Sequence, residues 1–122
     1  EIERIQKESD VLVHVESFRL KEWLAVRESF STKIVGQMAA CRPQLALGDA
    51  RCGSIDHLIR HDGAIVVSEK SKLEETLRRI IADDDFLTDY AKRGWECGVK
   101  LHNRRDIQAN LKRELEELIE KK

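Results

Sequence analysis

The sequence has few of the residues that mark specialised classes of protein. Aromatic residues make up 5% of the 122 positions, and the three cysteines, Cys41, Cys52 and Cys97, have no Cys-x-x-Cys spacing. This pattern predicts neither a disulfide framework nor a zinc site, and we expect inert, buried thiols. No apolar run approaches the roughly 18 residues of a membrane-spanning helix. The only methionine is Met38, so we expect the chain to be part of a longer protein.

An excess of charge of one sign is also missing. Lys and Arg number 22 against 23 Asp and Glu, and the net charge is −1. Such a surface attracts nucleic acid and anionic lipid only weakly, so we expect no nucleic-acid partner. Because the sequence shows no signal peptide, we expect a cytoplasmic protein, with any membrane association supplied by other parts of the full-length protein.

Three short apolar segments predict parallel strands that alternate with helices. They are residues 11–15, 45–47 and 64–67. The first is apolar on both faces apart from His14, which is typical of a central strand covered by helices. Small residues at 31–41 predict a helix close to the sheet that ends at Arg42-Pro43, and residues 54–61 predict a shorter helix with Ile55, Leu58 and Ile59 on one face.

The two ends of the chain are predicted to be helical. Residues 1–9 predict an amphipathic helix with Ile2 and Ile5 inward. After residue 67, Ser71 and Glu74 have the spacing of a capping box. The apolar residues expected to face inward in the next two helices are Leu73, Leu77, Ile80, Ile81, Phe86, Leu87, Tyr90, Ala91 and Trp95. The chain as a whole predicts a single α/β domain, a Rossmann-like three-layer unit with a short parallel sheet flanked by helices and a helical C-terminus.

A helix break with a cap, and one more helix, are predicted in this helical part. Asp83-Asp84-Asp85 predicts a break between helices and a cap for the second of them. A last helix is predicted after Asn103, with an apolar stripe formed by Ile107, Leu111, Leu115, Leu118 and Ile119. This stripe does not tell whether the helix packs on its own domain or crosses to a partner.

An anion site is predicted where helices begin at the carboxyl ends of the strands. Ligands of open parallel sheets bind beyond these ends, a rule that places Glu16 and Ser17, residues 28–33 and residues 48–53 around one crevice. The hydroxyls of Ser31 and Thr32 and the charge of Lys33 suit a phosphate at a helix N-terminus. Ordinary capping with a solvated lysine explains the same residues, so both interpretations stay open.

The four histidines, His14, His57, His61 and His102, are dispersed along the sequence. His57 and His61 are one helical turn apart. No carboxylate or cysteine nearby completes a set of metal ligands, so we expect a solvated helix face and no metal site.

Over nearly its whole length the chain resembles the C-terminal, nucleotide-sugar-binding domain of GT-B fold glycosyltransferases, and it is most similar to the bacterial group that builds surface polysaccharides. The resemblance is carried by Ser29-Phe30-Ser31-Thr32-Lys33-Ile34, Met38-Ala39-Ala40, Arg42-Pro43 and Leu45-Ala46-Leu47-Gly48. The family often has two glutamates eight positions apart, the first near the donor sugar and the second on the ribose. Glu28 matches the first, and Glu16, before the inserted connection at 17–27, is another candidate for that role. Gly36 stands at the second position, and Cys41 replaces the usual glycine before Arg-Pro.

The resemblance implies that the chain is a fragment of the donor-binding domain of a two-domain enzyme in polysaccharide or glycoconjugate synthesis. That enzyme would transfer a sugar from a nucleotide-diphosphate donor to a sugar or glycolipid acceptor, which would bind a missing N-terminal domain. The resemblance implies a catalytic role for Glu28, with neither metal nor other cofactor. The residues expected to contact the donor are Glu16, Ser17, Phe30, Ser31, Thr32 and Lys33.

Three further expectations follow from what this fragment lacks. Because Gly36 removes the acidic ribose contact, the alternative function is a degenerate, non-catalytic nucleotide-binding or scaffolding module. The fragment by itself is expected to be inactive. Absent neighbouring strands would leave a sheet edge open to self-association.

Overall fold

The computed structural model describes residues 1–121, except for the side chains of Leu20, Trp23 and Val26, and shows an α/β unit around a parallel sheet. The strands are β1 (Leu12–Val15), β2 (Gln44–Leu47) and β3 (Ile65–Val67), in the spatial order β1-β2-β3. Both pairings are parallel, with Val13 opposite Leu45 and Leu45 opposite Ile65. The predicted strands and the predicted fold class, a Rossmann-like unit with a helical C-terminus, are confirmed.

Helices flank the sheet and make up the C-terminal part of the chain. They are α1 (Ile2–Glu8), α2 (Leu20–Val26), α3 (Thr32–Ala39), α4 (Gly53–Arg60), α5 (Leu73–Ala82), α6 (Asp84–Leu101) and α7 (Arg104–Glu120). A 3₁₀ turn at Lys70–Lys72 leads into α5. No helix in the described part of the chain is both long and apolar enough to cross a membrane.

The core has two parts, one on each face of the sheet. Under α3 and α4, the buried cluster contains Ile34, Met38, Ala46, Ile55, Leu58 and Cys97. On the opposite face, Leu45, Ile65 and Val67 contact Leu73 and Ile80 of α5 and Phe86, Leu87 and Tyr90 of α6. Helix α6 therefore contributes to both faces. It approaches α3 closely at Gly98, where an added Cβ would lie 3.2 Å from the Cβ of Met38.

The prediction that the first strand is central and covered by helices is wrong for the described sheet. β1 lies at its edge, and the side chains of Val13 and Val15 are 54% and 64% exposed. The physical reason is that α5 and α6 cover this face only over β2 and β3. The expected inward packing of Ile2 and Ile5 is also wrong, because both side chains are exposed.

Several predictions of local structure are corrected in the same way. Ser71 lies inside the 3₁₀ turn, so the proposed capping box does not form and Lys72 is the N-cap of α5. The apolar residues Ile59, Leu77, Ile81 and Trp95, expected to face inward, are exposed. The predicted cap before α6 is confirmed, because Asp83 accepts a hydrogen bond from the amide of Phe86. The predicted start of the last helix after Asn103 is also confirmed, and the structure adds that the Asn103 side chain accepts hydrogen bonds from the amides of Arg105 and Asp106.

Candidate functional site

Helix α3 begins at Thr32, where the sequence predicts a helix start. The N-cap residue is Ser31, whose amide donates a hydrogen bond of 2.9 Å to Oγ of the buried Ser54. Thr32 and Lys33 are exposed. Because the first amides of a helix have no partner within it, the N–H groups of these two residues and the positive end of the helix dipole lie at one exposed position.

The three segments that were expected to share a crevice meet at the carboxyl end of the sheet. The amide of Glu16 donates to the carbonyl oxygen of Leu47 at 2.7 Å, and a Cβ on Gly48 would lie 2.7 Å from the Cβ of Glu16. The thiol of Cys52 is 3.9 Å from the carbonyl oxygen of Ser17. Glu16 and Ser17 therefore pack against residues 48–52.

Residues 27–29 lie on the start of α4. A Cβ at Gly53 would lie 2.6 Å from the carbonyl oxygen of Ser29 and 2.7 Å from that of Arg27. Two carbonyl oxygens next to a helix N-terminus are placed favourably with respect to its dipole. The start of α4 is thus covered by the chain itself, whereas the start of α3 has exposed residues.

Of the predicted site residues, Glu28 and Phe30 line a cavity of about 350 Å³ on the flank of α4. Its other walls come from Arg27, Ser29, Gly53, Asp56, His57, Arg60, His61 and His102. The side chain of Glu28 is 89% exposed, and its carboxylate lies 3.6 Å from the guanidinium of Arg27. Ser31, Thr32, Lys33, Glu16 and Ser17 are not among the residues that line this cavity. The structure therefore divides the candidate residues between this cavity, the start of α3 and the packed strand end.

Glu16 is engaged by a residue two positions earlier in the chain, the spacing that places two side chains on one face of a strand. Its Oε1 atom lies 3.0 Å from Nε2 of the buried His14, and its own side chain is 20% exposed.

A second carboxylate that is engaged by a nearby residue, Asp49, lies in the loop after β2. Asp49 accepts hydrogen bonds from the Arg51 guanidinium at 2.8 and 2.7 Å and from the Arg51 amide, and these bonds lower the pKa of Asp49 to about 2.

Three of the four histidines come together in the wall of the cavity. Nε2 of His57 lies 3.1 Å from Nε2 of His102, and the rings of His57 and His61 are 4.6 Å apart between centroids. Phe30 contacts His57 edge-on at 4.8 Å and stacks on His102 at 5.3 Å. The prediction of a solvated helix face is therefore wrong for His57, which the fold places against residues far away in sequence.

The surroundings of this histidine cluster favour neutral rings. Burial lowers the pKa of His57, and the charges that His61 and His102 would carry lower it further. Asp56 acts in the opposite direction, and Arg60 in the same direction as the histidines. Burial, followed by His61, also lowers the pKa of His102. Among the described residues, no group of three or more His, Cys, Asp or Glu side chains is placed so that it could hold a metal ion.

Gly36 lies in α3, on a surface that it shares with Glu3, Gln6 and Lys7 of α1. Apart from the adjacent residues and the backbone of α3 itself, a Cβ added there would have no described atom within 4 Å. The position at which the resembling family has its second glutamate is therefore open to a side chain.

The expectation that all three thiols are buried is wrong for one of them. Cys52 and Cys97 are buried as predicted, but Cys41 is exposed. Its φ of 56° is in the left-handed region, at the first position beyond the C-cap of α3, where glycine is usual.

No protein-family model, no curated protein and no solved structure matches this chain.

Proposed function

We propose that this chain is part of the donor-binding domain of a glycosyltransferase and binds a nucleotide-diphosphate sugar. The observation that carries the proposal is the exposed start of α3 at the carboxyl end of a parallel sheet. Amide groups, the helix dipole and a lysine meet there, and these are groups that bind a diphosphate. The resemblance of residues 28–48 to the donor-binding domain of GT-B enzymes adds the substrate class.

In the proposed mechanism, the start of α3 stabilises the leaving diphosphate. Because the amide of Ser31 is held by Ser54, the amides of Thr32 and Lys33 are the ones left to bind phosphate oxygens. The ammonium group of Lys33 forms no ion pair with a described residue, so it can oppose the negative charge that develops as the sugar–phosphate bond breaks. Glu28 accepts hydrogen bonds from hydroxyls of the donor sugar, and Phe30 holds the turn between them against His57 and His102.

The rest of the enzyme lies outside this chain in the proposal. The acceptor, a sugar or a glycolipid, binds an N-terminal domain, and the two domains together work in the cytoplasm. Val13 and Val15 are exposed on the uncovered face of β1. This exposure supports the proposal that the sheet continues, or is covered, in a larger protein. The proposed donor site needs neither a metal nor another cofactor.

The test is calorimetry on the full-length protein with a panel of nucleoside diphosphates. We expect Lys33→Ala to weaken binding by about 1–3 kcal/mol, the range for a hydrogen bond to a charged group. Lys100→Ala, which removes an exposed lysine from α6, is the matched control and should bind like the wild type. Equal affinity of the wild type and Lys33→Ala would contradict the role given to Lys33.

Gly36 favours a second candidate, a nucleotide-binding or scaffolding module that has lost turnover. A glutamate at position 36 would have open space around its Cβ, yet the chain has a glycine there. If the module is degenerate, Gly36→Glu should create nucleotide binding in a protein that otherwise binds none. Sugar transfer by the unmutated full-length protein would exclude this candidate.

A further inference from the structure

A cavity of about 370 Å³ lies between α3, the second half of α6 and the start of α7. Its floor is apolar and includes Val35 and Met38 of α3 and Trp95 and Val99 of α6. Met38 is 1% exposed, whereas Trp95 and Val99 are each 46% exposed, so the floor extends from the core to the surface. Concave, mostly apolar cavities of this size are typical of sites for small molecules.

The rim of this cavity carries two arginines whose charge is not balanced. Arg104 and Arg105 are exposed, and neither guanidinium has a hydrogen bond or an ion pair with a described residue. Every other arginine of the chain has a carboxylate or a carbonyl oxygen within 4 Å of its guanidinium. The described residues that line the cavity include no Asp or Glu. An apolar floor is thus joined to a rim of uncompensated positive charge.

The stability of α7 does not explain the two arginines. They lie in the first turn of the helix, at the positive end of its dipole, where acidic residues are favourable and basic residues are not. The backbone at this end has its own cap, because the Asn103 side chain accepts hydrogen bonds from the amides of Arg105 and Asp106. Burial, followed by the charge of His61, lowers the pKa of His102 in the cavity wall. The arginine side chains are therefore the source of the positive charge.

The chemistry that fits both parts of the cavity is an anion joined to an apolar group. A guanidinium forms paired hydrogen bonds with the oxygens of a phosphate or a carboxylate. Two adjacent guanidinium groups balance the charge of about −1.5 to −2 that a phosphate monoester carries at pH 7 better than they match a singly charged carboxylate. The half-exposed side chains of Trp95 and Val99 offer apolar surface that a ligand would remove from water.

We propose that this cavity is a binding site for the phosphate monoester of an apolar alcohol. The phosphate binds Arg104 and Arg105, and the apolar group lies over Trp95 and Val99. The ligand binds as a free molecule and not as part of a membrane. The site is separate from the proposed donor site, because Lys33 is not among the residues that line the cavity, and it does not depend on the proposed function.

The first experiment measures the binding of octyl phosphate to the full-length protein by calorimetry, below the concentration at which this probe forms micelles. We expect Arg104→Gln with Arg105→Gln to weaken binding at least about 10-fold, since hydrogen bonds to a charged group are lost. Lys112→Gln with Arg113→Gln is the matched control, because it removes the same charge from exposed positions of α7 outside the cavity. Absence of binding to the wild type, or equal affinities of the two double variants, would overturn the proposal.

The second experiment tests the apolar part of the site. Octyl phosphate should bind at least about 10-fold more tightly than methyl phosphate, because its methylene groups are removed from water. Val99→Asn should weaken the binding of octyl phosphate and leave that of methyl phosphate unchanged, whereas Val13→Asn, on β1 outside the cavity, should bind both like the wild type. Both valines are half-exposed, so circular dichroism should show unchanged folding. Equal affinities for the two probes would overturn the proposal.

The third experiment distinguishes this site from the proposed donor site and from a membrane surface. Lys33→Ala should bind octyl phosphate like the wild type, and a loss of binding in this variant would place the phosphate at the start of α3 and overturn the proposal. In sedimentation with vesicles of phosphatidylcholine and phosphatidate, we expect the protein to stay in the supernatant. Vesicle binding that requires Arg104 and Arg105, without binding of octyl phosphate, would show a membrane-docking surface and overturn the proposal.

Discussion

The Nε2 atom of His57 lies 3.1 Å from Nε2 of His102, and this contact joins α4 to the end of α6. Phe30, on the segment that leads into α3, contacts both rings. Two facing nitrogens can share a hydrogen bond only if one of them carries no proton. The position of the segment before α3 is therefore coupled to the protonation of this histidine pair.

Lowering the pH should destabilise the protein through these histidines. The folded-state pKa values of His57 and His102 are lowered, so their contribution to stability is present above the unfolded pKa of about 6.5 and is lost as the pH falls through the folded values. We expect the melting temperature, measured by calorimetry, to fall between about pH 7.5 and pH 5, and to fall less in His57→Gln. Identical pH profiles of the two proteins would contradict this prediction.

The carboxylate of Asp49 should affect the stability of the protein at lower pH than the histidines do. Its pKa is lowered to about 2 by Arg51, so its contribution is present above the ordinary carboxylate range and is lost only as the pH falls toward about 2. Asp49→Asn should therefore alter the stability profile below about pH 4 without changing the slope that the histidines cause above about pH 5. A changed slope in the upper window would show that the two sites are coupled.

Replacing Cys41 with glycine should stabilise the protein. Cys41 has a φ of 56°, a conformation that costs an L-amino acid with a side chain about 1–2 kcal/mol. Part of that gain is offset by the greater freedom of glycine in the unfolded chain, so we expect the free energy of unfolding to rise by about 0.5–1 kcal/mol in urea titrations. Asp62 has a similar φ of 49°, but its carboxylate accepts hydrogen bonds from Tyr90 and Arg93, which glycine would lose. Asp62→Gly should gain less than Cys41→Gly or lose stability.

Alanine should have opposite effects at two glycines that start or lie within helices. Gly53→Ala places a methyl group against two backbone carbonyl oxygens and should lower the free energy of unfolding by about 1–3 kcal/mol. Gly36→Ala enters open space in α3 and should raise it by about 0.5–1 kcal/mol. A stable Gly53→Ala variant would show that residues 27–29 do not rest on α4 as described.

The hydrogen bond between Ser31 and Ser54 should matter through the side chain of Ser54. Ser54→Ala leaves the amide of Ser31 without its partner and should cost about 1–2 kcal/mol of stability. The side chain of Ser31 makes no capping bond to the described start of α3, so Ser31→Ala should change stability by less than about 0.5 kcal/mol. A larger loss in Ser31→Ala, measured by chemical denaturation, would contradict this assignment of roles.

The candidate site was predictable only in part. The helix start at Thr32 and the convergence of residues 16–17, 28–33 and 48–53 followed from the rule for parallel sheets, because that rule depends on chain direction and not on side-chain packing. This rule could not predict which residues the individual side chains contact. His102 is 45 positions from His57, and the contact of Gly53 with residues 27–29 has no periodic signal along the chain.

Local chemistry in the chain is sufficient to specify the order and type of its elements, since apolar runs, helical periodicity and the caps at Asp83 and Asn103 act between neighbouring residues. Which apolar faces are covered depends on three-dimensional neighbours. Val13 and the stripe on α7 have the same apolar character as the core, but they are exposed because no described element of this chain reaches them. Burial is a property of how distant segments meet, so periodicity could predict that these faces exist but not whether this domain covers them.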